Sequence, residues 1–183
     1  MKSKKIYLVH GTSSRDADWY PWLENKVINN LKIPFKRISL PHYYQPKPSE
    51  WDHACDEEIE KENNITLIGH SLGCIQVLHF IEQHDLYHVK LILVSGFDED
   101  VFTLAELSSF TEHPVDYHRL LPKISNATVI SAMDDVIVPY PYTQTLARHL
   151  RAKFILMPKG DHFLDTDGIT KLPIVYQELK EIL

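Results

Sequence analysis

Five consecutive residues, Gly69-His70-Ser71-Leu72-Gly73, have the types and spacing needed for covalent chemistry. They follow the apolar run Ile65-Thr66-Leu67-Ile68 and precede an apolar stretch of helical length, Cys74 to His84. A serine with glycine two residues before and two after it, at a strand-to-helix turn, is the pattern of a nucleophile elbow. The chemistry explains the pattern. A serine hydroxyl is a weak nucleophile, so it has to stand proud of the backbone, beside a base and near N–H groups that receive an oxyanion. Only small neighbours tolerate so sharp a turn. The helix that begins there also points its positive dipole end at the site. An ordinary glycine-flanked turn is the weaker reading of the five residues taken alone, and the remainder of the chain must supply the partners.

A base and an acid are expected at the ends of later strands, in the order Ser…Asp…His. After the apolar run Thr128–Ala132 come Met133, Asp134 and Asp135; after Phe154–Met157 come Pro158, Lys159, Gly160, Asp161 and His162. An imidazole at His162 can take the Ser71 proton while a carboxylate from the Asp134-Asp135 pair fixes its tautomer. Eleven histidines dilute the weight of any one; His162 stands out for its strand-end position and the glycine before it. His70 reads as packing or as pocket wall, and His42, in the Pro41–Pro48 loop, as a residue bordering the site. The first strand ends in His10-Gly11-Thr12. If that loop neighbours the elbow, the backbone N–H groups of Thr12 and Leu72 converge on one oxygen near Ser71, with Gly11 allowing the close approach. His84 and His88 are four apart but sit at a helix end, so no metal site is expected.

These residues need a scaffold with strand ends side by side. Apolar, β-branched-rich runs occur at Lys5–Val9, Phe35–Leu40, Ile65–Ile68, Val89–Ser95, Thr128–Ala132 and Phe154–Met157. Most are continuous rather than alternating, as in strands buried on both faces. Helical patterns lie between them at Trp19–Leu31, Glu50–Glu62, Cys74–His84 and Tyr142–Arg151, with Pro173–Leu183 closing the chain. The acidic Glu50–Glu62 reads as a solvated surface helix. The alternation predicts an α/β fold, a doubly wound, mainly parallel six-stranded sheet, as a single domain over residues 1–183. Strand order 2-1-3-4-5-6 makes the first and third strand ends neighbours at the reversal, where such sheets bind ligands.

Composition excludes several classes. Hydrophobic content of 44% and charged content of 24% are those of an ordinary globular protein. With a net charge of −6 and no basic block longer than Lys4-Lys5, nucleic acid is not an expected partner, nor is an anionic membrane. The apolar run behind the basic start Met1–Lys5 is only Ile6–Val9, too short for a signal-peptide core. Two cysteines without metal-ligand spacing, Cys55 and Cys74, fit a reducing cytoplasm.

The elbow, the Asp-x-x-Val-Pro run at Asp135–Pro139 and the Gly-Asp-His-Phe run at Gly160–Phe163 resemble those of α/β-hydrolases. The whole chain is similar to the small serine hydrolases of the retinoblastoma-binding-protein-9 family, especially its YdeN-like bacterial members. Trp19-Tyr20-Pro21-Trp22-Leu23, Leu93-Val94-Ser95-Gly96-Phe97 and Leu172-Pro173-Ile174-Val175-Tyr176 carry the closer likeness. The resemblance implies a compact hydrolase core without a large lid, no cofactor, and a triad of Ser71, Asp135 and His162. Asp135 is preferred to Asp134 because the family pattern places the acid four residues before the proline. Asp161 departs from the usual Gly-Gly-His or Gly-His.

About thirty residues separate Ser95 from the fifth strand, enough for one short helix leaning over the pocket. Trp19, Trp22, His42, Phe97, Val138 and Phe163 are the expected substrate-lining residues of an open apolar groove. The expected activity is that of a carboxylesterase acting on small-molecule short acyl esters. A thioesterase or amidase with the same triad, or a non-enzymatic protein-binding module on this fold, is the alternative.

Overall fold

The continuous apolar runs form one sheet covered on both faces. The computed structural model describes residues 4–183, so the first three residues of the basic start lie outside the described residues. Its strands are β1 (Ile6–Val9), β2 (Phe35–Arg37), β3 (Thr66–His70), β4 (Val89–Val94), β5 (Ile124–Ala132) and β6 (Lys153–Met157). They lie in the order β2-β1-β3-β4-β5-β6, and every neighbouring pair is parallel. Successive strand side chains point to opposite faces. Val9, Leu67, Leu91, Leu93 and Val129 accordingly join one core, while Leu8, Ile68, Ile92, Val94 and Ile130 join the other. Each position needs an apolar side chain, which is why the runs do not alternate.

Helices α1 (Tyr20–Lys26), α2 (Pro48–Glu58), α3 (Leu72–Gln83), α4 (Tyr117–Leu120), α5 (Tyr140–His149) and α6 (Pro173–Ile182) supply the outer layers. Tyr20 and Leu23 of α1 pack with Val175 and Leu179 of α6 in one core. Trp51 of α2, Ile75 and Leu78 of α3 and Leu146 of α5 belong to the other. Among the described residues no helix is long and apolar enough to cross a membrane.

The structure corrects four local expectations. Helix α1 continues as a π-helical turn, Val27–Leu31, which Lys32 ends in a left-handed conformation. Helix α2 is not simply solvated. Trp51 and Cys55, four apart and so on one face, are fully buried behind its acidic outer side. Strand β5 begins at Ile124, because its first turns of pleat include exposed Ser125 and Asn126 and give no apolar signal. Between β4 and β5, in place of one short helix, runs a 3-10 segment, Phe102–Phe110, broken at Leu104 (φ −131°, ψ 40°), followed by α4 and a 3-10 turn at Leu121–Lys123.

Candidate active site

Ser71 sits between the end of β3 and the first residue of α3, with φ 53° and ψ −126°. A non-glycine residue there is strained, and such strain persists only where the surroundings over-determine it. They do so here. The Ser71 N–H donates to the Val94 carbonyl at 2.9 Å. A Cβ on Gly73 would lie 2.2 Å from the Val9 carbonyl oxygen, so α3 can press against β1 only with glycine at that position. On the other side, a Cβ on Gly11 would lie 2.8 Å from the Ser71 Cβ. The β1 loop therefore passes directly over the serine, as strand order 2-1-3 requires, and Gly11, Thr12 and Ser13 line the cavity at Ser71. Leu72 opens α3, so its N–H has no acceptor within the helix.

Two later strand ends complete the arrangement. The Ser71 hydroxyl donates to Nε2 of His162 at 2.8 Å, and Nδ1–H of His162 donates to Oδ2 of Asp135 at 2.8 Å. All three residues are buried. Asp135 is held in turn: its Oδ1 accepts the N–H groups of Ile137 at 3.0 Å and Val138 at 2.9 Å. Of the acid pair, Asp135 reaches the imidazole. Asp134 instead accepts the N–H groups of Gly160 at 3.0 Å and Asp161 at 2.9 Å, fixing the loop that carries the base. The exposed Asp161 takes a left-handed φ of 47° there. Such a series can pass the Ser71 proton to His162 while the carboxylate stabilises the imidazolium.

Around these three lie residues whose hydrogen bonds were not foreseen from sequence. His70 is both packing and cavity wall. Its Nε2–H donates to the His162 carbonyl at 2.9 Å, and its Nδ1 accepts from the Tyr20 hydroxyl at 2.5 Å. Full burial, then the neighbouring His162, push the His70 imidazole down to about 3, so the ring is neutral. His10 does the same for the β1 loop: Nδ1–H donates to the Gly11 carbonyl at 2.8 Å while Nε2 accepts the Leu40 N–H at 3.4 Å. Burial lowers its pKa as well. Holding the Gly11 carbonyl one way turns the N–H of the same peptide, that of Thr12, the other way, because the peptide is planar and trans. Asp167 accepts from the N–H groups of His162 and Leu164, and Asp18 from that of Asp165. The two acids three and five residues after His162, Asp165 and Asp167, were the available sequence signal for this brace.

The expected walls need correcting. The cavity at Ser71 is completed by Leu104, Leu107, Ile137 and Leu164, and none of the six expected lining residues borders it. Trp19, Val138 and Phe163 are core residues with at most 1% exposure. Trp22 packs edge-on to Tyr176 against the α1 and α6 core. His42 lies on the surface, bonded to Glu50 at 2.8 Å. Phe97 borders a neighbouring cavity instead. Large apolar side chains near a site are mostly its foundations.

The parallel sheet, the strained serine and the hydrogen-bonded series together define an α/β-hydrolase architecture. The comparisons agree. The family model described as "Serine hydrolase" matches residues 6–181, and the chain belongs to that family. It is 33% identical over 181 residues to the YdeN protein of Bacillus subtilis (strain 168), covering 97% of this chain and 95% of that one. The crystal structure of the B. subtilis ydeN product superposes with a TM-score of 0.92 at 31% identity, over 98% of each chain. The serine hydrolase RBBP9 of Rattus norvegicus is 24% identical over 167 residues, 89% of each.

Proposed function

We propose that the protein is a carboxylic ester hydrolase, one domain over residues 1–183, that works through an acyl-enzyme on Ser71 with His162 and Asp135 as base and orienting acid. The observation that carries this reading is the pair of 2.8 Å hydrogen bonds joining Ser71, His162 and Asp135 behind a strained serine. Ser71 Oγ attacks the ester carbonyl and its proton passes to Nε2 of His162. The N–H groups of Thr12 and Leu72 receive the oxyanion. Collapse expels the alcohol, which leaves with the proton from His162. Water then attacks the acyl-enzyme, giving its proton to His162, and the acid departs as Ser71 regains that proton.

Small-molecule esters with short acyl groups suit the cavity of about 150 Å³ at Ser71. Leu104 and Leu107 of the broken 3-10 segment cover it, and that segment is too short to build a large lid, so activity is expected to show no jump at the substrate's micelle threshold. Buried free cysteines at 55 and 74 suit a reducing cytoplasm. A fluorophosphonate probe, analysed by peptide mass, tests the assignment. Labelling is expected at Ser71 alone and lost in Ser71→Ala; labelling that survives the substitution refutes it.

A further inference from the structure

Two cavities share a wall. The one at Ser71 holds about 150 Å³. That falls short of the ~300–1,000 Å³ typical of small-molecule sites. Beside it lies a second cavity of about 360 Å³, and Leu104 and Leu107 border both. Leu104 is the residue at which the 3-10 segment breaks its helical geometry (φ −131°, ψ 40°), so the segment bends at the shared wall. Beyond Leu104 the second cavity is walled by Phe97, Val101, Phe102, Ala105 and Tyr142. Phe102 is 75% exposed, with its ring 6.4 Å from that of Tyr142. An exposed aromatic ring beside a half-buried one, both lining an apolar hollow, is surface that water covers at a cost and that an apolar group stabilises by covering.

We propose that this second cavity is the subsite for an apolar arm of the ester, an alkyl or aryl group that leaves the Ser71 cavity across Leu104. The inference rests on the ester-hydrolase reading of Ser71 and gives it a substrate class: a small reacting carbonyl centre joined to an apolar group of about four to eight carbons. The walls explain the choice. The polar residues of the lining are Asp100 and Thr111, hydrogen-bonded to each other, and the exposed Ser108; the rest of the wall is aromatic and aliphatic. Leu104 sets how readily the arm crosses and Ala105 how much of it the hollow admits. The arm hangs on either the acyl or the alcohol side of the carbonyl, and two substrate series separate these.

The series are p-nitrophenyl esters from acetyl to octanoyl and acetate esters from methyl to octyl. kcat/KM is expected to rise about fourfold per buried methylene in one series, levelling near hexanoyl or its alcohol counterpart. Ala105→Trp and Ser108→Trp, each filling the second cavity from a residue outside the Ser71 cavity, are expected to abolish the rise. Both are expected to leave methyl acetate, which carries no arm on either side, at the parent rate. No rise in either series, or a rise that survives both substitutions, overturns the subsite. A protein that cleaves no ester faster than Ser71→Ala fails the hydrolase reading instead, and binding then decides the subsite. N-hexylacetamide and N-methylhexanamide, unreactive isosteres of the two arms, are titrated calorimetrically into Ser71→Ala with and without Ala105→Trp. At least tenfold weaker binding of one amide to the filled cavity supports the subsite; unchanged binding of both overturns it.

Discussion

The inner and outer walls of the site are built on different principles. On the sheet side, Ser71, Gly11, Gly73, Asp135 and His162 are fixed by contacts that leave no slack: a backbone carbonyl 2.2 Å from where a Gly73 side chain would begin, and hydrogen bonds of 2.8 Å in series. On the outer side, the 3-10 segment Phe102–Phe110 buries only Leu107 and Phe110 and is kinked at Leu104. Regions with few buried contacts open at low free-energy cost, whereas core elements open only with global unfolding. The lesson is a division of labour. On the ester-hydrolase reading, the sheet side holds the reacting atoms, where a small displacement costs orders of magnitude, and the cover borders the way to them.

That contrast makes the sheet side the place for the largest losses. His162→Ala is expected to lower kcat on the order of 10³-fold or more with little change in KM or in thermal stability, since only the base is removed. Steady-state kinetics and a melting curve check it. Retention of more than a tenth of the parent kcat would mean another group takes the proton.

Gly11→Ala comes next. The new Cβ would meet the Ser71 Cβ at 2.8 Å and the His70 carbonyl oxygen at 3.1 Å. Either the β1 loop lifts away, taking the Thr12 N–H with it, or the serine turns. Loss of one oxyanion donor costs about 10²–10³ in kcat, and overpacking costs about 1–3 kcal/mol of stability. A variant that keeps the parent kcat would show that the β1 loop has slack, and the contrast between the two walls would fail on its own ground.

The same contacts explain what could be read from sequence. Close approach demands glycine and strain demands a short motif, so the elbow and the β1 loop announce themselves in residue types. The inner strands were legible because burial on both faces writes apolar runs, the edge strands β2 and β6 carry a weaker form of the same signal, and the histidine at the sixth strand end followed from chain order. The acid of the Asp134-Asp135 pair came from the family pattern; hydrogen bonding separates the two only in three dimensions. The cover was legible only in outline, as a short segment leaning over the pocket; Leu104 and Leu107 do border the Ser71 cavity, whereas Trp19 and Phe163 look like pocket walls and are core. Hydrophobicity states that a side chain prefers to leave water; it does not state whether protein or ligand covers it. The Tyr20–His70 bond lacked any local signal, being a contact across fifty residues.

That bond gives a prediction of intermediate size. His70 touches the backbone of the base, not its ring nitrogens, so His70→Gln is expected to reduce kcat about tenfold, far less than His162→Ala. It also has a pH signature. The native His70 is held neutral down to about 3, against 6.5 in the unfolded chain, so below pH 6.5 the unfolded state binds a proton the native state does not. Stability from this residue is fully present above 6.5 and is lost as the pH falls toward 3. The urea midpoint of the parent is expected to drop between pH 7.5 and pH 5 more steeply than that of His70→Gln. Parallel slopes would place a charged or exposed imidazole at position 70, and a larger kinetic loss here than at His162 would exchange their roles.

The smallest effect is expected at a residue that adjoins the base in sequence yet lies at the surface. Asp161 immediately precedes His162, and a carboxylate so near an imidazole suggests a shifted pH–rate profile. Its position argues otherwise. The residue is exposed, and its contribution to the loop is a backbone N–H given to Asp134 at 2.9 Å. Charges in water are weakly coupled and screened by salt over ~8 Å at physiological ionic strength, and exposed pairs are worth ~0–1 kcal/mol. Asp161→Gly keeps the N–H and removes the cost of a left-handed φ of 47° in a residue with a Cβ. It also gives the unfolded chain more freedom, which offsets that gain. The expected outcome is a change in stability within about 0.5 kcal/mol, kcat within about twofold, and an acid limb of the pH–rate profile that superposes on the parent's at 150 mM salt. A displaced limb that returns on raising the salt would mean the carboxylate acts on the base through space. Asp161 would then belong with the sheet side in function although it is exposed like the cover.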